Sequence, residues 1–167
     1  MQSIKIQKHS PGFNDVSWVL KARSKDESRP ALLHVEVKKD SLCCTDGHRL
    51  HLLWENSLDI PPGIYEVMKS TKSEIILLRN EDGPTFPDWS VFLSGEPFNV
   101  RIEHGIGEFG YTEVIRGLPD ARPIDFRYWN DAIDTGRWEC YTRDDEKMLR
   151  FRDTQGLRTA LIMPMRV

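Results

Sequence analysis

Cys43, Cys44, His48 and His51 have a spacing that could suggest zinc. A structural zinc site needs four such groups converging on one point. On alternating strands with a turn between them, these side chains point to different faces, and no second cysteine pair completes a set. No metal is expected. Residues 105–110 read GIGEFG and satisfy the Gly-x-Gly-x-x-Gly pattern of a dinucleotide loop. The sequence beyond them, YTEVIRGLPD, reaches a helix breaker within ten positions and offers no parallel strand afterwards. A glycine-rich turn between strands is the expected structure there. Asp46 with His48 has the types of an acid-base pair, but no hydroxyl or thiol nucleophile with a matching partner accompanies it. No catalytic residue, no cofactor and no enzymatic turnover is expected.

The elements that position these residues are mostly strands. Residues 2–8 alternate as a strand, and 12–24 place Phe13, Val16, Val19 and Leu20 on one helical stripe with Asn14, Ser17, Lys21 and Lys25 opposite. Strands follow at 31–38, 41–45 and 49–54, the last two joined by the Asp46-Gly47 turn signal. Near the C-terminus the order recurs. An extended piece at 123–125 leads to a helix at 126–135, with Phe126, Trp129, Ala132 and Ile133 inward and Gly136 as its cap. Strands at 137–143, 147–152 and 157–163 close the chain. Between the repeats lie a hairpin (IYEVMK, EIILLR), a Pro-rich crossing (GPTFPDW) and a strand (FNVRIEH). The expected class is α+β: two βαβββ halves, 1–57 and 121–167, form one antiparallel sheet backed by two helices. A mostly β insertion, 58–120, packs outside it.

Composition narrows the function. The 167 residues carry 23 basic and 26 acidic side chains, a net charge of -3, where a general nucleic-acid binder would be basic. Three cysteines, two of them adjacent, do not make a secreted disulfide framework. The start lacks a signal-peptide core, and no apolar run is long enough for a bilayer span. A cytoplasmic protein without membrane contact is expected.

Three stretches carry a resemblance. RPALLHVEVKKDSLCCTDGHRL resembles the sliding-clamp pattern in which an Arg-x-x-Leu strand start is followed, one hairpin later, by Ala-Thr-Asp-Gly-His-Arg-Leu. Thr45 to Leu50 match throughout, and Cys44 replaces the alanine. GPTFPDWSVFL resembles the clamp's Gly-x-Phe-Pro-Asp-Tyr linker with Trp89 in the aromatic position, and ALIMPMRV resembles the clamp's closing Val-Met-Pro-Met-Arg-Leu. The chain thus looks like a shortened, DNA-clamp-like relative of the bacterial DNA polymerase III beta subunit. A clamp subunit of that family strings three domains together and pairs into a six-domain ring. This chain looks like the middle domain's opening half fused to the last domain's closing half.

The resemblance implies a pocket for short peptides. Leu32, Thr45, Gly47, His48, Arg49 and Leu50 would form one wall, and Pro87, Val91 and Phe92 another. Leu161, Met163, Pro164, Met165 and Arg166 would complete it. Leu, Val, Pro and paired Met make a deformable apolar slot, with His48, Arg49 and Arg166 as rim donors. The partners implied are polymerases or other replication and repair proteins carrying clamp-binding motifs. Each motif also has a plain structural reading, since Asp46-Gly47 suits any tight hairpin and Met-Pro-Met any strand end. The alternative function is a DNA-encircling processivity clamp closed by a homo-oligomer of the short chain. Lys21, Lys25 and Arg127 would then face DNA, but Asp131 and Asp134 beside Arg127 would repel it, so DNA contact is expected to be weak.

Overall fold

The computed structural model describes residues 2–93, 100–104, 108–117, 123–133, 138–142 and 148–165. In chain order the strands are β1 (Ser3–Gln7), β2 (His34–Lys38), β3 (Ser41–Thr45), β4 (Arg49–Leu53), β5 (Gly63–Ser70), β6 (Glu74–Arg79), β7 (Val100–His104), β8 (Trp138–Thr142), β9 (Leu149–Asp153) and β10 (Arg158–Ile162). The helices are α1 (Phe13–Leu20), α2 (Glu108–Gly117) and α3 (Phe126–Ala132). Among the described residues all ten strands join one sheet in the order β1-β6-β5-β2-β3-β4-β10-β9-β8-β7. Every pairing is antiparallel. The α+β architecture, a continuous antiparallel sheet backed by helices, is the one expected.

One ladder unites the two halves. β4 pairs with β10, setting Leu50 opposite Leu161 and His51 opposite Ala160. Because strand side chains alternate, each strand sends one set of residues to each face. Val35, Val37, Leu42, Cys44 and Leu53 of the first half meet Cys140, Phe151, Ala160 and Ile162 of the second in a single core with the helices. Trp18 of α1 is its hub. The indole donates to the Ala132 carbonyl oxygen (2.9 Å), stacks on His51 with centroids 4.4 Å apart, and lies 5.9 Å from Trp138. The opposite face carries a smaller cluster of Cys43, Leu50, Leu52 and Leu161, covered by Phe86 and Trp89 of the Pro-rich crossing.

Several expectations are corrected. The middle region does not lie outside the sheet: the β5–β6 hairpin is inserted between β1 and β2, and β7 forms the far edge. Apolar alternation in EIILLR sends Ile75 and Leu77 into the main core from within the sheet. β7 and α2 supply the second half's opening strand and helix, so the 123–125 piece is not a strand. Asp125 instead caps α3, accepting the Arg127 backbone N–H at 2.8 Å. The GIGEFG turn is half helix, because α2 begins at Glu108 and buries Val114 completely. Its breaker, Gly117, ends that helix rather than preventing it, and residues 105–107 lie outside the described residues. Residues 31–33 form a short 3-10 turn begun by Pro30, whose missing N–H suits a helix start. Phe126 is 40% exposed, lying edge-on to Tyr111 rather than inward. Gly136 and Asp134 lie outside the described residues.

His51 makes stability depend on pH. It is fully buried, Nδ1 lies 2.8 Å from the Trp18 carbonyl oxygen, and burial pushes the imidazole down to about 3. Arg49, Lys21 and Arg158 nearby lower it further. The ordinary value is 6.5, so below that pH the unfolded chain takes up a proton that the folded chain refuses. Stability is therefore complete above pH 6.5 and falls as pH drops towards 3. Between pH 6.5 and 5, above the carboxylate range, this one group should remove about 2 kcal/mol. Urea titrations at the two pH values should show that loss in the wild type and a much smaller one in His51→Gln. Equal losses in both would contradict the assignment.

Candidate functional site

The β3–β4 turn is built by its own side chains. Thr45 Oγ1 donates to the Arg49 carbonyl oxygen (2.6 Å) and accepts the Gly47 N–H (3.1 Å). Asp46 Oδ1 accepts the backbone N–H groups of His48 (2.9 Å) and Arg49 (3.0 Å). Gly47 sits at φ +90°, a left-handed backbone that favours glycine. The Met163 N–H donates to the His48 carbonyl oxygen (2.9 Å), continuing the β4–β10 ladder past the end of β10. This bond carries the chain end against the turn.

Beside the turn, on the face away from α1, lies an apolar groove of about 250 Å³. Its lining includes Leu32, Thr45, Gly47, His48, Arg49 and Leu50 from the first half. Pro87 and Phe92 come from the Pro-rich crossing, and Leu161 and Met163 from the last strand and its extension. An adjoining groove of about 630 Å³ shares Gly47, His48 and Met163 and adds Pro164, Met165, Tyr128 and Asp125. Val91 does not join either lining. It is 57% exposed, turned outward by a 3-10 turn at Ser90–Phe92. Arg166 lies outside the described residues.

Two groove residues escaped the sequence reading, Trp89 and Met148. Trp89 was visible as the aromatic of Phe-Pro-Asp-Trp, two positions after Pro87. Met148 depends on the register Leu149 opposite Ile162, which sets its neighbourhood beside Met163 and which no local pattern encodes.

Arg49 is not an idle rim donor. Its side chain is only 10% exposed. Nε donates to Asp46 Oδ2 (3.0 Å), Nη1 to Asp131 Oδ2 (2.5 Å) and Nη2 to the Lys21 carbonyl oxygen (2.6 Å). The guanidinium also lies 4.4 Å from the Tyr128 ring centre. One fork thus ties the β3–β4 turn to the end of α1 and to α3, a geometry that a lysine's point charge cannot reproduce.

On the helix side a polar basin of about 720 Å³ holds Lys21, Arg23, Lys25 and Arg29 among Asp26, Asp46 and Asp131. Lys21 and Lys25 are exposed there, whereas Arg127 is not in the lining and is bound by Asp125 (2.6 Å). Cys43 and Cys44 point to opposite faces, and burial pushes both thiols up, as it does Cys140 to about 12. Such cysteines stay protonated and are poor metal ligands. Among the described residues no cluster of three or more His, Cys, Asp or Glu side chains is arranged to hold a metal ion.

No protein-family model matches the sequence, and no curated protein matches it significantly. Solved structures do. The beta subunit of DNA polymerase III from Pseudomonas aeruginosa superposes with a TM-score of 0.59 over 100% of this chain at 13% identity. The chain has the sliding-clamp fold. The beta chain from Streptococcus pneumoniae gives a TM-score of 0.63 at 13% identity, again over the full chain. A sliding clamp from Bartonella birtlesii, solved bound to griselimycin, gives 0.56 over 99% of this chain at 14% identity. The chain spans 65–66% of the length of these clamps. Among the described residues no helix is long and apolar enough to cross a membrane.

The Arg49 fork yields a stability prediction. Arg49→Ala leaves the Asp46 and Asp131 carboxylates without their shared partner and should cost about 2–3 kcal/mol. Arg49→Lys should recover less than half of that. Thermal melts of both variants check this, and wild-type melting of Arg49→Ala would return the residue to a purely rim role.

Proposed function

We propose that this protein is a sliding-clamp-like accessory of DNA replication that binds short linear peptides in the apolar groove beside the β3–β4 turn. One observation carries the reading. Three segments far apart in sequence, at 32–50, 87–92 and 161–163, converge on a groove whose surface is almost entirely apolar, with an exposed methionine at its mouth. A deformable apolar slot of this kind suits Leu and Phe side chains of differing partners. The adjoining groove lengthens the track for an extended peptide. The partners in this reading are polymerases or repair proteins carrying clamp-binding motifs. The reading is of a binding protein rather than an enzyme, acting in the cytoplasm.

A second reading, an encircling clamp closed by several copies, draws on the sheet's two end strands, β1 and β7. It also draws on Lys21 and Lys25 at the helix-side basin. Against it, the basin mixes those cations with Asp26, Asp46 and Asp131, and Arg127 is paired with Asp125. Mixed charge gives little of the counterion release that drives DNA binding. Salt-resistant retention on circular DNA, lost on linearising it, would favour this second reading.

Calorimetry with a peptide bearing a Gln, a following Leu and a terminal Leu-Phe pair tests the first reading. Binding should be micromolar, because a few buried side chains must offset the peptide's ordering. Met163→Ala should weaken it several-fold, as loss of an apolar contact at the groove's mouth does, without lowering the melting temperature. Absence of binding at high peptide concentration would sink the reading.

A further inference from the structure

We propose that Trp89, held by Glu36 and Lys38, fixes the width of the apolar groove and so the size of the side chain it accepts. This inference rests on the peptide reading above and deepens it. Trp89 is the largest side chain common to the buried outer-face cluster and the groove lining. Its indole N–H donates to Glu36 Oε2 at 2.5 Å. Lys38 Nζ lies 3.6 Å from the same carboxylate oxygen and 4.3 Å from the indole centre, while Trp54 meets the ring edge-on at 5.9 Å. Groups on β2 and just after β4 therefore grip one indole from several sides.

The grip reaches the groove through the backbone. The Phe92 N–H donates to the Trp89 carbonyl oxygen (3.1 Å), and Pro87 lies two residues before Trp89. All three residues line the groove, so the indole and the wall belong to one short segment. A hydrogen bond from an indole to a carboxylate, reinforced by a cation over the ring, is stronger than a neutral pair and fixes orientation as well as distance. Glu36 contributes nothing to the groove lining itself, so it acts on a ligand through Trp89 as a positioning residue.

The same arrangement supplies its own reporter. Glu36 and Cys43 face each other across β2 and β3. Cys43 is buried under the Phe86–Trp89 crossing, whereas Cys44 and Cys140 belong to the core on the opposite face. Loosening the crossing should expose Cys43 alone.

The test uses the full chain with Glu36→Ala and Glu36→Gln. Each variant is titrated with two peptides that differ only in ending in Phe or Leu, and each is labelled without peptide by a thiol reagent followed cysteine by cysteine. Glu36→Ala should label Cys43 at least roughly tenfold faster while Cys44 and Cys140 stay protected, the mark of local rather than global opening. It should also weaken peptide binding and shrink the wild type's discrimination between the two ends. Glu36→Gln, which keeps an acceptor for the indole but loses the charge, should fall between wild type and Glu36→Ala on every readout. Unchanged Cys43 protection and an unchanged Phe-to-Leu ratio in Glu36→Ala overturn the inference, and so does simultaneous exposure of all three thiols. If wild type binds neither peptide, the peptide reading and the selectivity claim both fall. The Cys43 rates then still decide whether Glu36 holds the crossing in place.

Discussion

The pairing of β4 with β10 is the constraint on which the rest depends. Strands far apart in sequence, Arg49–Leu53 and Arg158–Ile162, lie side by side in one register. A slip of one residue would turn His51 and Leu53 out of the helix-covered core and bring Leu50 and Leu52 into it. The same register ends with the Met163 N–H on the His48 carbonyl oxygen, so the turn and the chain end meet at one point. Fold and groove are thus consequences of a single ladder.

The two faces of that ladder do different work. On one, Trp18 of α1 packs against both His51 and Trp138 of the sheet, and the Arg49 fork closes the rim between the turn and the helices. Burying a neutral histidine there is compatible with folding because Nδ1 finds the Trp18 carbonyl oxygen and the ring stacks on the indole. On the other face, Leu50 and Leu161 meet the Pro-rich crossing, and the space left beside them is the groove. Each such leucine contributes roughly 1.5–3 kcal/mol when removed from water, so the ladder and the groove floor are stabilised by the same side chains.

The sequence pattern was readable where physics is local. Alternation in SLCCT and RLHLL, with Asp46-Gly47 between them, specified a hairpin whose turn geometry the structure reproduces. The stripe Phe13, Val16, Val19 and Leu20 specified a helix face that is buried throughout, though the helix ends at Leu20 rather than at 24. What stayed hidden is non-local. Nothing in EIILLR reveals that it pairs with β1 and separates that strand from β2, because a hairpin with one apolar face packs equally well in several sheet positions. The roles of Arg49 and Trp89 were hidden for a related reason. Which partner a guanidinium or an indole finds depends on the distant strands and helices that reach it, such as α3 at Asp131 or β2 at Glu36. Ten of the fourteen positions expected at the pocket line one groove, since the motifs that mark them sit on strand ends and turns where the ladder converges.

Native-state hydrogen exchange addresses that ladder most directly. If one sheet unites both halves, amides within 50–53 and 158–162 should exchange with a common free energy equal to that of global unfolding measured by denaturant. Exchange of 158–162 at a clearly lower free energy, while β2, β3 and β4 stay protected, would show the halves opening separately and would contradict the account.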